Sequence, residues 1–518
     1  MANSIFTGLN AVQRQSLVIS LTAFFTSLLL IALVSVLILI GYRGLAYFWP
    51  EPIYLVASKH ESGEFPVLAN IYRDLSEQDV TLKYSNAKHP YGSQIRLEQD
   101  GLDSVALAVD SAEIKLRDGR RILAVPKYII TPTHAQKSLT DFSAVASEAA
   151  LITAQIENIN STHLAPVHEA LSQLDKRDVV KDAPAREKLV STFNAYQQRI
   201  FALEKQRAEY QLRVEFPNGE GMLVPVASIQ DIDFVSRLTV YEKWKVLLSE
   251  IAIFLTDSPK QANTSGGVFP ALFGTVLMVF LMTIIVTPFG VLAAIYLNEY
   301  APHTSLTTVI RVCVSNMAGV PSIVYGVFGL GFFVYTLGGS IDELFFSDTL
   351  PAPTMGSPGV FWASLTMAIL TLPVVIVATE EGLRRVPEGL KAGSYALGAT
   401  KFETILRTIL PIASPGIMTG VILAIARAAG EVAPLMLVGA VKFAPTLPID
   451  GEFPFLHLDR QFMHLGVLIY DGAFHSQTDG KSASMMFAAC LLLLVVVFVL
   501  NILAVILRAR LRKRYRKG

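Results

Sequence analysis

The chain has 518 residues, 52% of them hydrophobic and 17% charged, with 43 basic and 43 acidic side chains. Soluble domains carry about 25% charged residues, so this balance, with a mean hydropathy of +0.46, excludes an ordinary soluble chain. Zero net charge gives no basis for nucleic-acid binding, and two cysteines, Cys313 and Cys490, both expected buried in apolar runs, exclude a disulfide framework or a cysteine-built metal centre.

Six apolar stretches reach the roughly 20 residues that a bilayer crossing needs. Residues 17–40 form the first, after a short N-terminal segment (1–16). This run is too long for a signal peptide, and no A-x-A pattern follows it. Residues 41–267 then form a long polar region, large enough for a domain of its own. Within it SVALAV (104–109), AEIKL (112–116) and ILAVPKYII (122–130) alternate as strands do, with the turn signal DGRR between the last two. From 141 to 211 the pattern is helical, and two long helices broken near 182–184 are expected to pair. YQLRVEF and MLVPVA flank PNGEG as a hairpin around Asn218-Gly219. VYEKWKVLLSEIAIFL (240–255) is amphipathic and suits a membrane surface, so lipid is an expected contact.

The remaining crossings are expected at 268–297, 309–335, 360–379, 416–441 and 485–507. The third is rich in glycine (Gly319, Gly326, Gly329, Gly331) and broken by Pro321. Gly326 belongs to a small-residue face that permits close helix approach. Lys and Arg set the sidedness. The tail RARLRKRYRKG (508–518) holds seven and segment 380–411 holds five, against none in 336–359 and three in 442–484. Both termini and 380–411 are therefore expected in the cytoplasm, and 41–267 outside. The fold class that follows is a membrane all-α protein with six crossings, carrying an α+β domain between the first and second.

Segment 380–411, EEGLRRVPEGLKAGSYALGATKFETILRTILP, is amphipathic. Pro387 is expected to start one short helix, Gly398 to break it from a second, and Pro411 to end that second. Such a helical knob suits a partner's groove, or it is an ordinary loop between spans. In the fifth span, Arg427 and Glu431 stand four residues apart in ILAIARAAGEVAPLML. That spacing puts both on one helix face. They form either a structural ion pair or a pathway site, where the guanidinium fork meets an oxyanion and Glu431 competes for it on release. Gly430 and Pro434 beside them are expected to loosen the helix. Arg311, near the start of the third span, is either an anchor at the membrane surface or a second pathway charge. Glu299 and Glu380-Glu381 are expected as interfacial charges. The sequence contains no G-x-x-x-x-G-K-[ST], so any energy from ATP comes from another subunit. No cofactor, metal or catalytic residue is expected.

The spacing of Gly398 to Leu410-Pro411 resembles the cytoplasmic loop of ABC importer permeases, where Gly is followed after nine residues by Ile-x-Leu-Pro. The Glu-Ala-Ala of that loop falls here on Ala392, Gly393 and Ser394, and its Ile falls on Thr408. GGVFPALFGT (266–275), AGVPSIVYGVFGLG (318–331), YALGAT (395–400) and ARAAGEVAPL (426–435) resemble the permeases of the phosphate-specific transport system, the A-type subunit more than the C-type. The resemblance implies a type I importer permease fold over 268–507 in an inner membrane, with the outer domain as an enlargement. It implies inorganic phosphate as substrate and, as partners, a C-type permease, an ATPase dimer and a periplasmic phosphate-binding protein. It implies ATPase coupling through Ala392, Gly393, Ser394, Gly398, Leu410 and Pro411, and a pathway role for Arg427 and Glu431. Other readings are a permease for molybdate or sulfate, the C-type subunit, or a membrane sensor of phosphate status.

Overall fold

The computed structural model describes residues 11–58, 66–73, 79–98, 102–132, 136–176, 184–260, 265–302, 304–347, 351–444, 446–451, 453–475 and 480–515. The chain divides into two units, one of Met1–Phe48 with Glu250–Gly518 and one of Trp49–Ser249.

The first helix, α1 (Ala11–Ala46), is apolar and exposed along nearly its whole length, as a helix surrounded by lipid is. Its Gly44 packs against Leu491 of the last helix.

The Trp49–Ser249 unit opens with β1 (Tyr54–Ser58), β2 (Val67–Arg73), β3 (Asp79–Ser85), β4 (Ser93–Glu98) and β5 (Leu102–Leu107). They form an antiparallel sheet in the order β4-β3-β2-β1-β5, with Val56, Val67, Ala69, Val80 and Leu82 buried on one face. Sequence reading named only the last of these strands. A second sheet is built from β6 (Ala112–Leu116), β7 (Arg121–Ile130), β8 (Gln136–Lys137), β9 (Gln211–Glu215), β10 (Gly221–Pro225) and β11 (Ile229–Asp233). Its order is β10-β9-β7-β6-β11, with β8 on β7. Pro126 interrupts β7, and the register shifts there, because proline offers no ladder N–H.

Between β8 and β9 run α2 (Phe142–Ile159), α3 (Ala165–Lys176) and α4 (Pro184–Ala208). Val145, Ala149, Ile152, Ile156 and Ile159 recur along one face of α2 and bury against Ile114, Ile122, Ile129, Leu212 and Val214 of the sheet. His163 stacks on Tyr196 at 4.6 Å, tying the two arms of this helical layer. The break expected near 182–184 falls on residues that, Pro184 apart, lie outside those described. Helix α5 (Val240–Thr256) covers the amphipathic stretch. Thr239 and Glu242 close its first turn, and hydrogen bonds from the Thr239 backbone and hydroxyl hold the Glu242 carboxyl below the usual range.

The other unit continues through the short hairpin β12 (Pro259–Lys260) and β13 (Ser265–Gly266) to α6 (Phe269–Ile295), which ends in a wide π turn over Tyr296–Tyr300. Then come α7 (Ser305–Met317), α8 (Ser322–Phe328), a π segment Gly329–Gly338 and α9 (Gly339–Phe345). Next are α10 (Val360–Arg384), α11 (Glu388–Ala396), α12 (Lys401–Thr404), a π turn Ile405–Ile409, α13 (Leu410–Gly430) and α14 (Ala433–Val438). A parallel pair, β14 (Ala440–Val441) with β15 (Phe462–Met463), leads to α15 (Leu465–His475) and α16 (Gly480–Tyr515). Helices α6, α10 and α13 enclose the core, where Met278, Met282, Met367, Val375 and Ala424 are buried.

Six helical stretches are long and apolar enough to cross a membrane: Gln15–Ala46, Phe269–Tyr300, Ser322–Phe345, Val360–Arg384, Lys401–Gly430 and Met485–Arg510. Two differ from the sequence expectation by more than ten residues at an end. The third begins at Ser322 and not near 309, because Pro321 starts the helix as its N-cap and does not break one already running. Residues 305–317 form the separate helix α7. The fifth begins at Lys401 and stops at Gly430, short of 441. Pro411 does not end a helix. It sits in the first turn of α13, and the preceding π turn, with Leu410 N–H on Ile405 O, lets the helix run on from α12. Cys313, expected buried, is exposed on α7.

Candidate functional site

The fifth crossing stops where the sequence demands it. Pro434 has no N–H for Gly430 O, and its ring excludes a regular turn there. Helix α13 therefore ends at Gly430, Glu431 is extended (φ −82°, ψ 136°), and α14 restarts with Pro434 in its first turn. Arg427 lies in the last turn of α13, where a cation also suits the free carbonyls. The expectation of one continuous helix face is thus corrected: Arg427 is helical and Glu431 is not. The two still pair, with Arg427 Nε 3.6 Å from Glu431 Oε1, and their side chains keep 29% and 23% of their surface. At 3.6 Å this is an ion pair without a hydrogen bond. Among the described residues Arg427 donates no hydrogen bond to protein, so its planar fork of N–H groups stays open.

Two other expected positions meet beside this break. Gly326 of α8 faces α14 so closely that a Cβ on it would lie 2.7 Å from Pro434 Cα. Only glycine permits that approach. Tyr325, next to it, donates to Met317 O at 2.8 Å and fixes the end of α7 to α8. Pro321 starts the same short helix. Gly430 has open space around its Cα.

Arg311 is not brought to Arg427's site by any contact among the described residues. Its guanidinium donates to Leu297 O at 2.6 Å and lies 3.4 Å from Glu380 Oε1, with Arg384 3.7 Å from the other Glu380 oxygen. Of the expected coupling positions, Ala392 and Gly393 are exposed on α11, and Ser394 shares a 2.9 Å hydrogen bond with Thr404 of α12. Gly398, at φ +84°, turns the chain between those helices. Leu397 and Phe402, 91% and 67% exposed, project beside that turn. Leu410 and Pro411 lie half-buried at the start of α13.

Sequence reading missed the group that fastens this segment. Glu299, taken as an interfacial charge, is 8% exposed and receives Lys391 Nζ at 2.9 Å, itself 12% exposed. Burial works against the Lys391 ammonium, but the hydrogen bonds and charges of Glu299 and, at 3.3 Å, of exposed Glu388 outweigh it, so its pKa is raised. Lys401 donates to Glu299 O and stands 4.4 Å over the Tyr300 ring. With Arg311 on Leu297 O, three cations from α7, α11 and α12 converge on the end of the second crossing. No local signal marks this, since Lys391 and Glu299 lie 92 positions apart. Also missed was Asp342, 1% exposed, which accepts the N–H groups of Thr354, Met355 and Gly356 at 2.7–2.9 Å. It pins the 351–359 loop onto α9, with Trp362 Nε1 donating to Met355 O at 2.7 Å. Asp342 with Glu343 in the otherwise apolar run SIDELFF was the available signal.

Comparison with known proteins adds the following. The family described as "Binding-protein-dependent transport system inner membrane component" matches residues 286–513. The chain is 34% identical over 252 residues to the phosphate transport system permease protein PstA 1 of Mycobacterium tuberculosis, covering 49% of this chain and 73% of that protein. It is 33% identical over 260 residues to the phosphate transport system permease protein PstA of Yersinia pestis, covering 50% and 78%. Among solved structures, an inward-facing MetNI methionine ABC transporter superposes with a TM-score of 0.36 at 18% identity, over 46% of this chain and 94% of that one.

Proposed function

Because the chain belongs to the PstA-type phosphate transport system permeases, multi-pass membrane subunits of ABC importers, we propose that it forms half of the membrane path by which inorganic phosphate is taken up. It is a transporter subunit and not an enzyme. ATP is hydrolysed on a partner ATPase dimer, a periplasmic phosphate-binding protein delivers the substrate, and a C-type permease supplies the other half of the path. Both termini and segment 380–411 lie in the cytoplasm, following the Lys/Arg bias of the loops. The Trp49–Ser249 unit, between the first and second crossings, then lies in the periplasm.

The observation that carries the mechanism is the open guanidinium of Arg427 at a helix break. Phosphate crossing a bilayer needs a positive partner with several donors, and a bidentate fork provides it. The same site has to release its cargo. Glu431, on extended backbone 3.6 Å away, is placed to retake the guanidinium as phosphate leaves. Alternating access follows when α11 and α12, moved by the ATPase, shift the helices around this break. Ala392, Gly393, Ser394 and the exposed Leu397 and Phe402 form the face that meets the ATPase.

The test is labelled phosphate uptake by the assembled complex in proteoliposomes, with ATP inside and binding protein outside. Accumulation that needs ATP, and that excess sulfate or molybdate does not compete away, is the expected result. Competition by either oxyanion at equal concentration would reassign the substrate.

A further inference from the structure

Segment 380–411 joins the fourth and fifth crossings. Here it is also fastened to a third. The Lys391 ammonium of α11 is buried on the Glu299 carboxylate at 2.9 Å, and Lys401 of α12 donates to the Glu299 carbonyl. Arg311 of α7 holds Leu297 O two residues earlier. A wide π turn ends the second crossing at this point, leaving carbonyls that a regular helix would have used. Beneath the polar contacts Ile295, Leu297, Leu383, Ile405 and Ile409 form a small apolar core of their own.

A buried ion pair is a poor stabiliser, because desolvation offsets its attraction. What it does well is fix one arrangement and punish departures from it, since either charge left alone is costly. We propose that Glu299 and Lys391 are the positioning joint that carries displacement of the cytoplasmic loop into the second crossing, keeping phosphate movement tied to ATP hydrolysis. The inference rests on the reading above, that a partner ATPase drives this permease through segment 380–411. Glu299 and Lys391 touch no substrate. They act through α6, which packs along α10 in the core that surrounds the path.

The experiment compares three assembled complexes in proteoliposomes: native, the neutral pair Glu299→Gln with Lys391→Met, and the swapped pair Glu299→Lys with Lys391→Glu. The neutral pair leaves no orphan charge, so folding is not the expected casualty. Phosphate carried per ATP hydrolysed is measured, together with the ATP-dependent spectral change of a spin label at Phe289, an exposed position on α6, with Cys313 and Cys490 replaced by Ser. The neutral pair is expected to hydrolyse ATP at near-native rate, carry about tenfold less phosphate per ATP, a usual size for coupling between sites, and lose the label response. The swapped pair, with Glu388→Gln added to remove the carboxylate 3.3 Å from Lys391 Nζ, is expected to recover both. A neutral pair with native ratio and native label response would overturn the joint. So would hydrolysis and uptake falling together with no recovery in the swap, which is what a mere structural staple gives. If the native complex hydrolyses ATP and moves the label yet accumulates no phosphate, the substrate reading fails, and the label response alone decides the joint.

Discussion

Both Lys391–Glu299 and Arg427–Glu431 join a cation to a glutamate within the same unit, yet they are built for different work. The first is buried, hydrogen-bonded at 2.9 Å and spans 92 positions of chain. The second is local, stretched to 3.6 Å, and keeps about a quarter of each side chain in the open. A closed pair holds two elements together. An open pair, with donors unspent, can change partners. The comparison teaches that placement of charge in a membrane protein is read by how completely each charge is answered, not by its mere presence.

Removing one partner from each pair is the strongest way to break that distinction. Lys391→Met leaves the largely buried Glu299 carboxylate with only the Asn298 amide donating to it, at 2.7 Å, and a loss of about 1.5–3 kcal/mol is expected. Thermal unfolding of the purified chain in detergent measures it. Arg427→Gln, by contrast, is expected to cost under about 1 kcal/mol, as for a partly solvated pair. Equal losses would mean that the two pairs are of one kind.

Asp342→Ala sharpens the comparison as a control. It deletes the acceptor of three backbone N–H groups, and a loss of about 1.5–3 kcal/mol is expected, with phosphate per ATP unchanged. A drop in that ratio would show that any buried charge, and not the joint alone, governs coupling. Gly326→Val pushes a side chain into Pro434 Cα, with about 1–3 kcal/mol of overpacking, and uptake should fall as α8 and α14 are forced apart. Native uptake in that variant would remove this contact from the moving parts.

The smallest expected effect is of pH. Folding raises the Lys391 pKa above its ordinary 10.5, so its contribution is complete below that value and is lost only as pH rises through the folded value. Phosphate per ATP should therefore show no step assignable to this joint between about pH 6 and 9, measured as uptake against hydrolysis in the same vesicles. A step within that window would mean that the ammonium is not held as described.

The crossings were legible because a run of apolar residues long enough for a bilayer is a property of the run itself. Their ends were less so. Hydropathy does not distinguish a kinked helix from one that stops, so the start at Ser322 and the stop at Gly430 needed the proline geometry at Pro321 and Pro434. Arg427 and Glu431 were legible as a pair because four residues separate them. Gly326 was read as a packing position and Pro434 as one that loosens the fifth helix, but their meeting depends on how α8 and α14 cross. The Glu299 joint was invisible for the same reason on a larger scale. Its members belong to elements far apart in sequence, and each alone looks like a charge at a membrane surface. Of the strands β1–β4, β1 (YLVAS) and β2 (VLANIYR) carry no clear period, whereas β3 (DVTLKYS) and β4 (SQIRLE) alternate polar and apolar residues and were legible but passed over.

The most direct measurement is phosphate uptake beside ATP hydrolysis in proteoliposomes carrying Arg427→Gln in the assembled complex. The expected result is uptake lowered about tenfold or more, the scale of one lost charge-assisted contact, with assembly and hydrolysis retained. Unchanged uptake would contradict the account, leaving Arg427 and Glu431 as a structural pair at a helix end.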